Sequence, residues 1–385
     1  MGGLLSFPPD MGSFELQPLN ILIGPNASGK TNFIEVLELL RAAPVDLAAA
    51  IRHGGGAQEW LWKGPGWKSP PAPTVEVETG PRSMTDPPLR HRLSFSAMGP
   101  KARIQEEAIE EAVAVGDGPR SCYKYQQGMI NIRVRTHDEE TEERTLPSEE
   151  SSLDQSVLAQ CRDPDLYPEL TWLARQFASI QSFRDWTFGR HGATGQPQRA
   201  DPNGQRLLPD CSNLALVLNE IEHVSGPVIN EHLRRFFPRF ERMSTSISGG
   251  TVQLYLHESG FSSPIPATRL SDGTLRFIAL MATLLSPSPP PLVCMEGPEL
   301  GLHPDAVAML ADLLVEASQR MQLVVTTHSD ALVSALTDQP AAMVACERPG
   351  AGTELRRLDP ERLAGWLDEY RLGDLWRMGE LGANP

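Results

Sequence analysis

Gly24-Pro25-Asn26-Ala27-Ser28-Gly29-Lys30-Thr31 is the stretch from which the rest of the chain is read. Leu19-Asn20-Ile21-Leu22-Ile23 precedes it, an apolar run of the length of a buried strand. Phe33, Val36, Leu37 and Leu40 follow at i, i+3, i+4, i+7, one face of a helix. A G-x-x-x-x-G-K-[ST] loop between a strand and a helix is the setting of a phosphate-binding P-loop. Glycines let the backbone wrap an anion closely, and successive N–H groups with the helix N-terminus present positive potential to it. In such a loop Lys30 can reach the β- and γ-phosphates, and the Thr31 hydroxyl can ligate Mg²⁺.

At 385 residues the chain has room for one large domain with an insertion, or for two domains. Its 40% apolar and 22% charged residues are those of a globular protein. No apolar run approaches the length of a membrane span, and the start lacks the basic and apolar regions of a signal peptide. Cys122, Cys161, Cys211, Cys294 and Cys346 are scattered and never spaced C-x-x-C, so neither a zinc site nor a disulfide framework is expected. That favours a reducing cytoplasm. A net charge of −15 gives no global field attracting nucleic acid, although a local basic surface remains open.

Residues 13–16 and 19–23 read as two strands entering the loop, and 44–73, rich in Pro, Gly and Trp, as irregular. Thr74–Glu78, Leu89–Phe95, Ser121–Tyr125 and Met129–Arg135 read as short strands of an antiparallel lobe, with Glu106–Val113 a short helix or turn among them. The acidic runs Asp138–Glu143 and Glu149–Glu150 read as solvated loop. From about 152 to 243 the pattern turns helical, with Leu170, Leu173, Ala174 and Phe177 on one face and Leu214, Val217, Leu218 and Ile221 on another. Between them Gly189–Arg206, carrying Arg190, Arg199 and Arg206, reads as a loop, with an anion-binding lid as the alternative. Thr251–His257 alternates as a strand. Thereafter Leu292–Met295, Pro304–Ala317, Leu323–Thr327 and a helix from Asp330 alternate strand and helix, the rhythm of a parallel sheet. The expected division is 1–150 for an N-terminal lobe, 151–245 for a helical insertion and 246–385 for a C-terminal lobe.

Three further stretches refine the P-loop. Leu270-Ser271-Asp272-Gly273-Thr274 opens a helix through Phe277, Leu280 and Met281, and Ser271 alone would serve as its N-cap. Leu292-Val293-Cys294-Met295-Glu296 is an apolar strand ending in a carboxylate, which can hold Mg²⁺ beside the P-loop threonine. Val324-Val325-Thr326-Thr327-His328-Ser329 ends a strand in a histidine.

In this order the elements resemble an ABC-type ATPase head of the RecF/SMC/OLD-like branch. The carriers are the P-loop extended by Asn32, the signature Leu270–Thr274, the Walker B strand with Pro298-Glu299-Leu300-Gly301-Leu302-His303-Pro304, and His328. The ending Tyr370-Arg371-Leu372-Gly373-Asp374-Leu375-Trp376 is similar to that of compact single-chain ATPases of the branch. The resemblance is specific over 13–36 and 265–347 and loose over 150–250. It implies an α/β P-loop fold with a mixed, largely parallel core sheet, an antiparallel β lobe and a helical insertion. It implies ATP and Mg²⁺ as cofactors, with Gly24, Asn26, Ala27, Ser28, Gly29, Lys30, Thr31 and Asn32 around the nucleotide and Thr31 with Glu296 on the metal. Ser271, Asp272 and Gly273 would cap the γ-phosphate held by a second copy, so an ATP-bound homodimer is the expected active species.

One departure carries weight. The family places a glutamate directly after the Walker B acid, and here that position is Gly297. Glu299 and His328 are the remaining catalytic candidates, and Gln105, Gln126 and Gln181 stand open as the Q-loop glutamine. No long coiled coil interrupts the chain, and no Toprim-like nuclease domain follows it, so any nuclease is expected on another polypeptide. The leading expectation is an ATP-gated dimerising switch for a partner effector, plausible in bacterial defence. The alternatives are a DNA-repair ATPase that clamps DNA and a scaffold that binds ATP without turnover.

Overall fold

The computed structural model describes residues 1–64, 72–114, 119–136, 141–147, 153–188 and 192–383. In chain order, β1 (Leu19–Ile23) leads through the glycine-rich loop into α1 (Lys30–Ala42) and α2 (Leu47–His53). Six strands follow: β2 (Thr74–Pro81), β3 (Pro88–Met98), β4 (Lys101–Ala114), β5 (Pro119–Gln126), β6 (Met129–Arg135) and β7 (Thr141–Pro147). Next come α3 (Val157–Gln160), α4 (Pro168–Ala178), β8 (Gln181–Phe183), β9 (Gln198–Arg199) and α5 (Leu214–Phe236). β10 (Phe240–Ser248), β11 (Thr251–Glu258) and β12 (Ile265–Pro266) precede α6 (Asp272–Leu284) and β13 (Leu292–Glu296). The chain closes with α7 (Pro304–Ser318), β14 (Gln322–Thr326), α8 (Asp330–Ala335), β15 (Met343–Glu347), β16 (Glu354–Arg357), α9 (Pro360–Leu367) and α10 (Leu372–Met378).

Two compact units result. The first comprises Met1–Glu15, Ala27–Ile180 and Cys346–Leu355; the second comprises Leu16–Asn26, Gln181–Ala345 and Arg356–Pro385. The second is built on a sheet of order β16-β15-β1-β14-β13-β8, in which β15, β1, β14, β13 and β8 pair in parallel. Every residue of β1 is buried, as expected of a central parallel strand covered on both sides. The one polar residue in it, Asn20, is satisfied: its amide donates to the carbonyls of Gln17 and Leu323, and its oxygen accepts from Arg357. α6 and α7 bury Leu275, Phe277, Ile278, Leu280, Leu310 and Leu314 in the core of this unit. The faces read from the sequence on α5 and α7 are the buried ones.

The first unit carries the six-stranded antiparallel meander β2-β3-β4-β5-β6-β7. Glu106–Val113, expected as a helix or turn, lies within β4. Its glutamates and alanines favour helix weakly, but hydrogen bonding to β3 and β5 on both sides overrides that preference. Register shifts beside Ser94 and Ile109 disturb the two-residue alternation, leaving Glu107, Ala108 and Ile109 buried in succession.

Three further expectations change. Residues 13–16 form no strand; Phe14 instead meets Phe33 edge-on at 6.1 Å between ring centres. Within 44–73, α2 forms because the Asp46 carboxylate caps it, accepting from the Ala49 amide at 2.8 Å ahead of an alanine run. Of Asp138–Glu143, residues 141–143 belong to β7, paired with β6, while 138–140, Glu149–Glu150 and Arg190 lie outside the described residues. In the 192–206 loop, β9 pairs with β11, and the buried Asn213 amide donates to the carbonyls of Asn203 and Arg206.

Candidate functional site

Within the P-loop, Gly24 has φ 150°, Ala27 φ 62° and Gly29 φ 105°, values in the left-handed region. Gly29 is the N-cap of α1, and no acidic residue occupies that helix's first turn to oppose an incoming anion. Lys30 is buried, its Nζ 3.5 Å from Ser28 Oγ, whereas Asn26 and Ala27 are exposed and Thr31 and Asn32 half-buried.

Two residues that sequence reading passed over hold this loop from behind. Thr353 Oγ1 lies 2.8 Å from the Ser28 carbonyl and 2.7 Å from Ser6 Oγ, and Asn32 Nδ2 donates to the same Ser6 oxygen at 2.8 Å. Gly29 is obligatory there, because a Cβ would stand 2.1 Å from Thr353 Oγ1 and 2.9 Å from Ser6 Oγ. No local pattern announces a partner 325 residues away.

On the second unit, β13 ends at Glu296 beside the end of β14. Arg184, just past β8, donates from Nε to Glu296 Oε2 at 3.1 Å, a pair that the sequence did not suggest. The chain then turns at Gly297, whose φ of 54° is left-handed and whose N–H bonds the Thr326 carbonyl at 3.0 Å. Glu299 points inward: it is 6% exposed, and its Oε1 accepts from Thr327 Oγ1 at 2.5 Å. Its other oxygen, Oε2, is buried with no hydrogen-bond partner among the described residues. Burial pushes the Glu299 carboxyl above the usual carboxylate range, and the Thr327 bond offsets part of that. His328 is exposed beside it, at the end of the β14 segment.

The signature segment starts α6 as its sequence suggested. Ser271 caps the helix, accepting from the Thr274 amide at 3.2 Å, yet Ser271 and Asp272 are exposed. Gly273 packs against the turn after β13, where a Cβ would come within 2.8 Å of the Gly301 carbonyl. One turn on, Arg276 lies over Phe188 at 5.0 Å and Trp186 at 5.7 Å and reaches the Gly297 carbonyl at 3.5 Å. Signature helix and post-Walker B turn are therefore tied together by side chain and by backbone contact. Of the Q-loop candidates, Gln181 donates to the Leu207 carbonyl at 3.0 Å and Gln105 to Ser96 Oγ at 2.7 Å. Gln126 ends β5, paired with Met129.

Nucleotide and Mg²⁺ suit the residue types present: Lys30 and Thr31 in the loop and the carboxylate of Glu296 are the cation, hydroxyl and acid that such ligands need. A parallel sheet bearing a P-loop, a signature helix and a carboxylate-tipped Walker B strand defines a P-loop ATPase of the ABC type. More narrowly, residues 19–334 match the AAA_21 family, described as "AAA domain, putative AbiEii toxin, Type IV TA system", and the chain belongs to that family. No curated protein matches the sequence. Solved structures similar to it include an SMC head bound to the C-terminal winged-helix domain of ScpA, with 14% identity, 94% of this chain and 97% of that one covered, and TM-score 0.48. An SMC head with an extended coiled coil bound to the C-terminal domain of ScpA, from Pyrococcus furiosus, has 12% identity, coverage of 95% and 97%, and TM-score 0.48. The SMC head domain of Thermotoga maritima has 14% identity, coverage of 93% and 97%, and TM-score 0.41. No helix among the described residues is long and apolar enough to cross a membrane.

Proposed function

We propose that the chain is an ATP-gated switch with slow hydrolysis, two copies closing on bound ATP to control a separate protein effector in the bacterial cytoplasm, in defence against phage or mobile DNA. The observation that carries the slow step is Gly297. The residue that follows Glu296 has no side chain, and the next carboxylate, Glu299, is buried against Thr327. In this reading the Gly24–Gly29 amides and Lys30 hold the phosphates, and Thr31 and Glu296 hold Mg²⁺. The metal supplies charge neutralisation on the β- and γ-phosphates. His328 stands at the end of the Walker B-adjacent strand as a contact for the γ-phosphate side.

The open signature supports closure of two copies, since Ser271 and Asp272 are exposed at a helix start. The family description, which names a toxin, agrees with an effector-linked role. The net charge of −15 weighs against a DNA clamp. Light scattering with and without Mg²⁺–ATP tests the reading: wild type shifts to a dimer, Lys30→Ala does not because it cannot hold nucleotide, and Ser271→Arg binds ATP yet stays monomeric. Normal dimerisation of Ser271→Arg would reduce the signature to a helix cap.

A further inference from the structure

The antiparallel unit carries a cavity of about 410 Å³ that the nucleotide reading does not use. Its wall combines the first turn of α4 with three arginines, Arg82, Arg135 and Arg175, and with Trp172. Asp86 and Glu169 also line it, but both are engaged. Arg82 pairs with Asp86 at 3.3 Å and with Glu169 at 3.5 Å, and Arg133 takes the same Glu169 oxygen at 3.1 Å. Arg135 and Arg175 are exposed, and neither has a carboxylate partner among the described residues. In a chain of net charge −15, that is a local concentration of guanidinium groups.

Two buried polar atoms at this wall lack hydrogen-bond partners among the described residues. Thr171 is 6% exposed, and its Oγ1 has no hydrogen bond; Arg82 Nε is likewise buried and unbonded. Leaving such groups unsatisfied is costly, so a ligand that satisfied them would gain from it. α4 runs for 11 residues from Pro168; its N-cap Tyr167 places no side-chain oxygen on the first turn, but Glu169 stands in that turn, so the arginines and not the helix end supply the positive field.

We propose that this cavity binds a phosphate group, presented either as the free anion or by a nucleotide whose ring lies on Trp172. Arg135 and Arg175 supply the forked donors suited to phosphate, and Arg82 Nε and Thr171 Oγ1 donate beside them. The half-buried Trp172 offers a flat apolar face beside the cations, the pairing that holds single-stranded bases. The site stands apart from the P-loop argument and does not depend on hydrolysis.

Calorimetry tests it on the full chain with the P-loop saturated by Mg²⁺ and a non-hydrolysable ATP analogue. The probes are inorganic phosphate and a 5′-phosphorylated thymidine dinucleotide. Wild type is expected to bind phosphate, and the double variant Arg135→Glu with Arg175→Glu to lose at least about tenfold in affinity. Thr171→Val, which keeps the helix and the side-chain volume, is expected to lose about fivefold while its melting temperature is held. A dinucleotide bound about tenfold more tightly than phosphate, with the gain lost in Trp172→Ala, identifies a nucleotide as the source. Equal binding of the two probes identifies the free anion. Absence of binding by wild type at millimolar probe, or unchanged binding by the double arginine variant, overturns the proposal.

Discussion

Arg184 Nε lies 3.1 Å from Glu296 Oε2, so the carboxylate at the tip of the Walker B strand is already ion-paired within its own unit. Arg184 is 26% and Glu296 32% exposed at the side chain, which places the pair where solvent screens it and its worth is about 0–1 kcal/mol. A divalent cation arriving at Glu296 must share or displace this guanidinium. Arg184→Gln should therefore lower the Mg²⁺ concentration that supports ATP binding by up to about fivefold. Titrating Mg²⁺ against a fluorescent ATP analogue measures it. An unchanged or raised Mg²⁺ requirement would show that the arginine assists the metal site instead of competing for it.

Thr353 fixes the back of the P-loop through Ser28 and Ser6. Replacing it by valine leaves the Ser28 carbonyl without its donor and the Ser6 hydroxyl without its partner, at a cost of about 1–3 kcal/mol. ATP affinity of Thr353→Val should fall by about tenfold or more, while Thr353→Ser keeps the hydroxyl and should bind as wild type. Equilibrium binding across the three proteins checks it. Equal affinity of the valine and serine variants would remove Thr353 from the cradle's support.

The parts of the site legible in the sequence were those written in consecutive residues. Gly24–Thr31 carries its flanking strand and helix with it, Ser271 announces its cap, and Leu292–Glu296 reads as a strand ending in an acid. Arg184, Ser6 and Thr353 leave no local signal because each acts on residues far along the chain through one or two hydrogen bonds, which carry no periodicity. β4 was misread for a related reason: its strand identity comes from two neighbours, and its register shifts erase the alternation that would have signalled it. The helix α2 was hidden by the surrounding prolines and glycines, although Asp46 before an alanine run is a start signal in its own right.

Glu299 gives a pH signature. Burial raises its carboxyl above the ordinary 4.5, so the folded state holds the proton more tightly than the unfolded state does. The stability this contributes is complete below pH 4.5 and is lost as pH rises through the raised folded value. Glu299→Gln keeps an oxygen for the Thr327 hydroxyl and carries no charge. Its melting temperature should match wild type in acid and exceed it increasingly as pH rises above the ordinary carboxylate value of 4.5, on the slope set by proton linkage. Thermal unfolding of both proteins across that range decides the matter. A constant difference would mean that Glu299 is ionised in the fold at no cost.

The central claim is that Gly297 leaves ATP without a positioned base. Such a base contributes about 10²–10⁴-fold to rate, or about 3–5 kcal/mol of barrier. Restoring it meets the backbone: φ at Gly297 is 54°, which costs a side-chain-bearing residue about 1–2 kcal/mol. A Cβ there would also lie 2.7 Å from Leu300 Cδ1. Leu300 is 60% exposed, so Leu300→Ala clears the space at little cost to the core and serves as the control background. The direct measurement is single-turnover phosphate release from ATP-loaded protein, comparing wild type, Leu300→Ala and the double variant Gly297→Glu with Leu300→Ala. Wild type and Leu300→Ala are expected to release phosphate slowly and alike, and the double variant to be faster by at least about tenfold. Wild-type release at about 1 s⁻¹ or faster, the ordinary range of enzymes, would contradict it and place the base elsewhere in the protein.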